Sequence, residues 1–216
     1  MGSSILKPNI EFLRHFPKSD RFQILTEQQV SLKKLDDIQI DKIDFIKIDT
    51  QGSELEILKG APLALSRVLG LEIEVEFSRI YLGQPLFGDI CAYLEKFELE
   101  FIDFTNLCRW ERSEHNGLGQ CIFGDALFLQ KPEKILSDIS LDKISSYLAC
   151  LLIYQRFDLI NITLSKLPEQ FKKDFYKFEK RIKILNRRFS LIHNLGRYLN
   201  VLYYIFNINS RSHLIY

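Results

Sequence analysis

Long apolar runs are missing from this 216-residue sequence. The longest near the C-terminus, Val201 to Phe206 with its neighbours, falls far short of the roughly 20 residues that cross a bilayer, which excludes a transmembrane helix. Paired cysteines are missing too. Cys91, Cys108, Cys121 and Cys150 form no Cys-x-x-Cys pair and follow no secretory leader, so reduced core thiols in a cytoplasmic protein are expected rather than a disulfide framework. His15, His115, His193 and His213 stand at no metal-binding spacing with another ligand, and no metal is expected. No internal repeat or low-complexity tract is present. With 46% hydrophobic and 26% charged residues, the composition is that of an ordinary globular protein, with room for one large domain or a medium one plus an extension.

A net charge of +1 conceals an asymmetry. Residues 1–130 carry 14 Lys/Arg against 21 Asp/Glu, whereas residues 131–216 carry 15 against 7. Such a reversal of sign predicts two different units, 1–130 and 131–216.

Local patterns assign elements to each. Asp44 to Asp49 is a short apolar stretch running into the turn-rich Thr50-Gln51-Gly52-Ser53, so a strand ending at Asp49 and then a turn are expected. Ser53, with Glu56 three residues on, has the form of a capping box, and Glu54 stands where a carboxylate favours the positive helix end. A helix therefore begins near Ser53 and ends at Gly60, and Pro62 suits the first turn of a second short helix through Val68. Leu71 to Phe77 alternates without a fault, which places Leu71, Ile73, Val75 and Phe77 on one strand face and Glu72, Glu74 and Glu76 on the other. Asp89 to Phe97 reads as a helix, Leu99 to Phe104 and Gln120 to Gln130 as two paired strands, and Thr105 to Gly119 as the loop between them. Phe22 to Lys33 gives at most one or two weak strands. This order predicts an α/β fold, the second half of a doubly wound sheet with a hairpin-like edge. From Pro132 onward the pattern is helical: Leu141, Ile144, Tyr147, Leu148 and Leu151 share one face, as do Phe171, Phe175, Phe178, Ile182 and Leu185, with breaks near Asp158 and Pro168.

The stretch Asp44 to Ala61, with Lys47-Ile48-Asp49 closing a strand, then Gln51-Gly52, Glu54, and a helix ending Leu58-Lys59-Gly60-Ala61, closely resembles the signature of FkbM methyltransferases. Leu35-Asp36-Asp37, Glu74 to Phe77, Gly2-Ser3-Ser4 and Lys7-Pro8-Asn9 resemble the same family, and the likeness covers roughly residues 2–130. It implies a partial Rossmann-like (class I methyltransferase) sheet followed by an α-helical C-terminal extension. It also implies S-adenosylmethionine lying across the C-terminal strand ends, where open α/β sheets bind ligands, and transfer of its methyl group to a hydroxyl of a small molecule or saccharide. The Asp-x-Gly-x-x-x-Gly loop that wraps the cofactor in that family is not in the sequence. Its strands would precede residue 1, so a chain truncated at its N-terminus, or a degenerate one inactive alone, is expected.

Methyl transfer from a sulfonium needs an acceptor oxygen held about 3 Å from the methyl carbon and a base for its proton. Asp49 and Glu76, at the ends of adjacent predicted strands, are the catalytic candidates; Asp49, Gln51 and Gly52 are the cofactor-binding candidates. The plainer readings are a helix-capping carboxylate for Asp49 and a turn glycine for Gly52. Glu54, Arg79, Tyr81 and His115 are candidates for substrate binding, Arg79 and Tyr81 sharing with Gln84 a loop at the cleft end. A central strand buries both faces, so its glutamates must be paired, exposed or lining a polar cleft, and Lys47 on the neighbouring strand is the expected partner. A missing first half would also leave the strand Phe45 to Asp49 with a bare edge, predicting a homo-oligomer or cover from Phe22 to Lys33 or the C-terminal helices. The rival reading is a non-catalytic assembly module that docks a partner through the basic helices of residues 172–188. Nucleic acid is not expected, because a solvated helix face is the commoner use of such charges.

Overall fold

The computed structural model describes residues 3–113, 117–137, 140–177 and 180. Its first compact unit reaches Thr163 and a second starts at Leu164. The first is mixed α/β, built on a four-stranded sheet of order β1-β2-β4-β3, with β1 at Phe45–Ile48, β2 at Gly70–Glu76, β3 at Leu99–Trp110 and β4 at Gln120–Gln130. β1 and β2 run parallel, Ile46 opposite Leu71 and Ile48 opposite Ile73. A parallel neighbour must be reached by a crossover, here α2 (Glu54–Lys59) and α3 (Pro62–Leu65). β4 then lies antiparallel to both β2 and β3.

The alternation along β2 decides what each face meets. Leu71, Ile73 and Val75 join a core with Ile48, Leu58, Leu65, Val68, Phe128 and two residues of α4 (Phe87–Leu94), Ile90 and Leu94. The opposite face carries the glutamates, yet every residue of β2 is buried. Glu72 resolves its burial as expected: Lys47 Nζ donates to its Oε1 and lies 3.6 Å from Asp125. Burial pushes the Glu72 carboxyl up, but hydrogen bonds from Lys47 and Tyr154 outweigh it and hold it below the usual range.

Beyond the sheet, α5 (Pro132–Ser137), α6 (Leu141–Ile153) and α7 (Phe157–Ser165) follow. The Tyr147 hydroxyl of α6 donates to the Gln130 carbonyl at 2.6 Å. Residues 169–177 are helical, with ion pairs Lys172–Glu169 and Lys177–Asp174 one turn apart. Phe178, Ile182, Leu185 and the aromatic segment from Leu191 lie outside the described residues. No helix among the described residues is long and apolar enough to cross a membrane.

Four local expectations are corrected. Ser53 does precede α2, but its hydroxyl makes no cap; it donates to Thr50 O at 3.3 Å, and Glu56 pairs with Lys59 instead. Residues 23–33 form no strand, and Ile24, Leu25, Val30 and Leu32 are exposed. β3 continues six residues past Phe104, because pairing with β4 carries it through three irregularities to Trp110. The helix expected from Asp89 starts at Phe87, where the Asp89 carboxylate accepts the Leu86 N–H at 2.8 Å, and its last turn, Glu95–Phe97, is a 3-10 helix. Among the described residues β1 pairs with β2 alone, and Tyr154 stacks on Phe45 at 5.4 Å.

Candidate functional site

The loop between β1 and α2 turns on two consecutive left-handed residues, Gln51 (φ 56°) and Gly52 (φ 105°). Only glycine adopts the second without strain. Glu54, the first residue of α2, folds back over this loop: its Oε1 accepts from Thr50 N at 3.0 Å, Thr50 Oγ1 at 3.0 Å and Gly52 N at 3.1 Å. Ser4 fastens the loop from the other side by donating to Gln51 O at 2.7 Å. A Cβ on Gly52 would come within 3.1 Å of Gln84 Nε2, 3.1 Å of Leu6 Cδ1 and 3.2 Å of Tyr81 Cδ2. Gly52→Ala is therefore expected to cost about 1–3 kcal/mol from backbone strain alone, read as a lower urea midpoint with unchanged slope.

The segment after β2 completes the surroundings. Lys7, Pro8 and Asn9 run beside it, with Asn9 N donating to Ile80 O at 2.7 Å and Leu82 N to Lys7 O at 2.8 Å. Leu13 and Phe16 then pack with Ile80, Tyr81 and Ile122. The Gln84 side chain holds the turn, its Oε1 accepting from Ile80 N at 3.0 Å and Tyr81 N at 3.1 Å. From β1 and β2 the strand-end carboxylates converge. Gln51 Nε2 bridges Asp49 Oδ1 at 3.1 Å and Glu74 Oε1 at 2.9 Å, and Tyr81 OH donates to Gln51 Oε1 at 3.4 Å. Glu54, Glu74 and Glu76 each bring a carboxylate oxygen within 4.8 Å of the other two.

Packing these charges together away from water raises their affinity for protons. Burial, then the neighbouring Asp49 and Glu54, push Glu74 up to about 7. Burial, then Glu54 and Glu74, push Glu76 up to about 9. The Tyr81 phenol is raised as well, chiefly by burial and then by Glu74.

Of the residues singled out in the sequence, Asp49, Gln51, Gly52, Glu54, Glu76 and Tyr81 come together here. Asp49 is exposed directly after β1, Gln51 half-buried, and Glu54 and Glu76 buried at 1% and 2% exposure. Arg79 is exposed and joins only through its carbonyl, which accepts from Asn9 Nδ2 at 3.0 Å. His115 lies outside the described residues. From the sequence Glu74 is paired, exposed or lining a polar cleft, and Ser4 and Lys7 to Asn9 enter only through the family likeness. The alternating glutamates placed Glu74 on the face of Glu76, but nothing local shows that only Glu72 takes the lysine. Two surface hollows lie elsewhere, one lined by Trp110, Arg112 and Gln120, the other by Thr105, Tyr154 and Arg156.

Residues 2–101 match the family model described as the methyltransferase FkbM domain. No curated protein matches the chain, and no solved structure does. The matched residues contain β1, β2, the Asp49–Glu54 loop and all three clustered glutamates, so the similarity to the FkbM methyltransferase domain takes in the acidic strand ends.

Proposed function

We propose that the chain is an S-adenosylmethionine-dependent O-methyltransferase acting on a hydroxyl of a small molecule or saccharide, on the partial Rossmann-like sheet that the motif implies. The observation that carries the reading is the family match over residues 2–101, which spans the parallel β1–β2 pair and its acidic strand ends. The cofactor brings a sulfonium and an ammonium. The donor set suits such cations in charge: Asp49 is exposed at the rim, and no Lys or Arg among the described residues forms an ion pair with Asp49, Glu54, Glu74 or Glu76.

Asp49 and Gln51 are the residues that would hold the cofactor, which when bound supplies an electrophilic methyl group. Gly52 serves the turn rather than a close approach, since Gln84, Leu6 and Tyr81 fill the space beside it. Asp49 is the carboxylate with solvent access, and its role is to orient an acceptor hydroxyl and take its proton. Glu76, at 2% exposure, acts from behind the rim on the field that Asp49 and the acceptor feel.

Calorimetric titration of the full chain with S-adenosylmethionine tests the reading. Saturable binding, with transfer of labelled methyl from the cofactor to a hydroxyl acceptor, is the expected result. Absence of any heat of binding and of any transfer across a panel of sugars and small alcohols rejects it for this chain.

A further inference from the structure

We infer that Glu54, Glu74 and Glu76 form a binding site for one hard divalent cation of the magnesium, manganese or calcium class. Three observations lead there. The first is geometry: one oxygen from each side chain lies within 4.8 Å of the others, and oxygens held at about 2.0–2.6 Å from a shared ion can be no more than roughly 5 Å apart. The second is charge. Lys47, the nearest cation on the neighbouring strand, is taken by Glu72 and Asp125, so among the described residues no ion pair neutralises the three carboxylates.

The third observation is an orphaned atom. Glu54 is 1% exposed, and its Oε1 is used by the Thr50 and Gly52 donors. Its Oε2 is buried with no hydrogen-bond partner, and Glu54 is the charge that acts most strongly on Glu76. A buried carboxylate oxygen with nothing to accept carries a desolvation cost; coordination to an ion shared with Glu74 and Glu76 removes it. All-oxygen carboxylate ligation selects magnesium, manganese or calcium over zinc or copper, which favour nitrogen and sulfur. Positions left open on such an ion are filled by water.

The inference stands on the cluster and not on methyl transfer, so the two readings fail separately: cation binding is read without cofactor, and cofactor binding without added metal. The full chain, stripped with a chelator, is titrated with manganese, free Mn2+ being followed by electron paramagnetic resonance. Binding of one Mn2+ per chain is expected, displaced by Mg2+ or Ca2+ and accompanied by a rise of several degrees in melting temperature. Glu74→Gln and Glu76→Gln each weaken Mn2+ by roughly 10–100-fold or more. Both variants remove like-charge repulsion, so they melt no lower than the parent in chelator, which separates a lost ligand from a lost fold. Glu72→Gln, on the same strand face but engaged with Lys47, leaves Mn2+ affinity unchanged. The proposal is overturned by failure to bind Mn2+, Mg2+ or Ca2+ more tightly than roughly 1 mM, a weak-site limit, or by equal affinity in Glu74→Gln, Glu76→Gln and parent.

Discussion

In the presence of a chelator, the protein is expected to lose stability progressively as pH rises from about 5 to about 9. Both responsible groups have folded values above their unfolded 4.5: Glu74 at about 7 and Glu76 at about 9. Above 4.5 the unfolded chain releases these protons while the folded chain keeps them, so the folded state binds more protons and stability falls with pH. The decline begins as the unfolded carboxyls ionise and ends once Glu76 has ionised in place. Burial raises both groups first; Asp49, Glu54 and Asp125 then raise Glu74 and Lys47 lowers it, while Glu54, Glu74 and Asp49 raise Glu76 and a hydrogen bond with Gln84 lowers it. Glu76→Gln removes the larger contributor and flattens the curve. Urea midpoints measured across that range decide the matter; stability that rises toward pH 9, or a slope unchanged in Glu76→Gln, contradicts the buried, mutually repelling arrangement.

Asp49→Asn is expected to lower methyl-transfer turnover by about 100-fold or more, the scale of a lost general base, while cofactor affinity changes only severalfold. The substitution keeps shape and removes charge and basicity, and among the described residues Asp49 Oδ1 accepts only the Gln51 amide, so the fold there does not depend on the charge. An interaction made only in the transition state shows as a fall in kcat and kcat/KM together. An unchanged rate with weakened S-adenosylmethionine binding would leave Asp49 with the cofactor alone and remove its role as the base.

Much of this arrangement is legible locally. The strands β1, β2 and β4, the turn at Gly52 and the helices after Gly60 and Pro132 follow from periodicity and from glycine and proline placement, which act over a few residues. The ends of elements are less so. Ser53 and Glu56 have the spacing of a capping box, but the β1–α2 loop already takes Glu54 as its acceptor, and Ser53 turns to Thr50. Residues 23–33 contain strand-forming types, yet no strand among the described residues pairs with them.

The sequence by itself determined the parallel β1–crossover–β2 unit, the alternation that sends Glu72, Glu74 and Glu76 to one face, and the family signature around Asp49 to Glu54. Only the tertiary structure decided which glutamate is neutralised and which are not. The register of β1 on β2 sets Lys47 against Glu72, and β4 adds Asp125 to the same lysine. Glu74 and Glu76, farther along β2, are left to Glu54 from the folded-back loop, while Lys7, Asn9, Leu13 and Phe16, remote in sequence, brace the segment that follows β2. Charge pairing depends on distances between segments roughly 20–80 residues apart, and no local pattern encodes those distances.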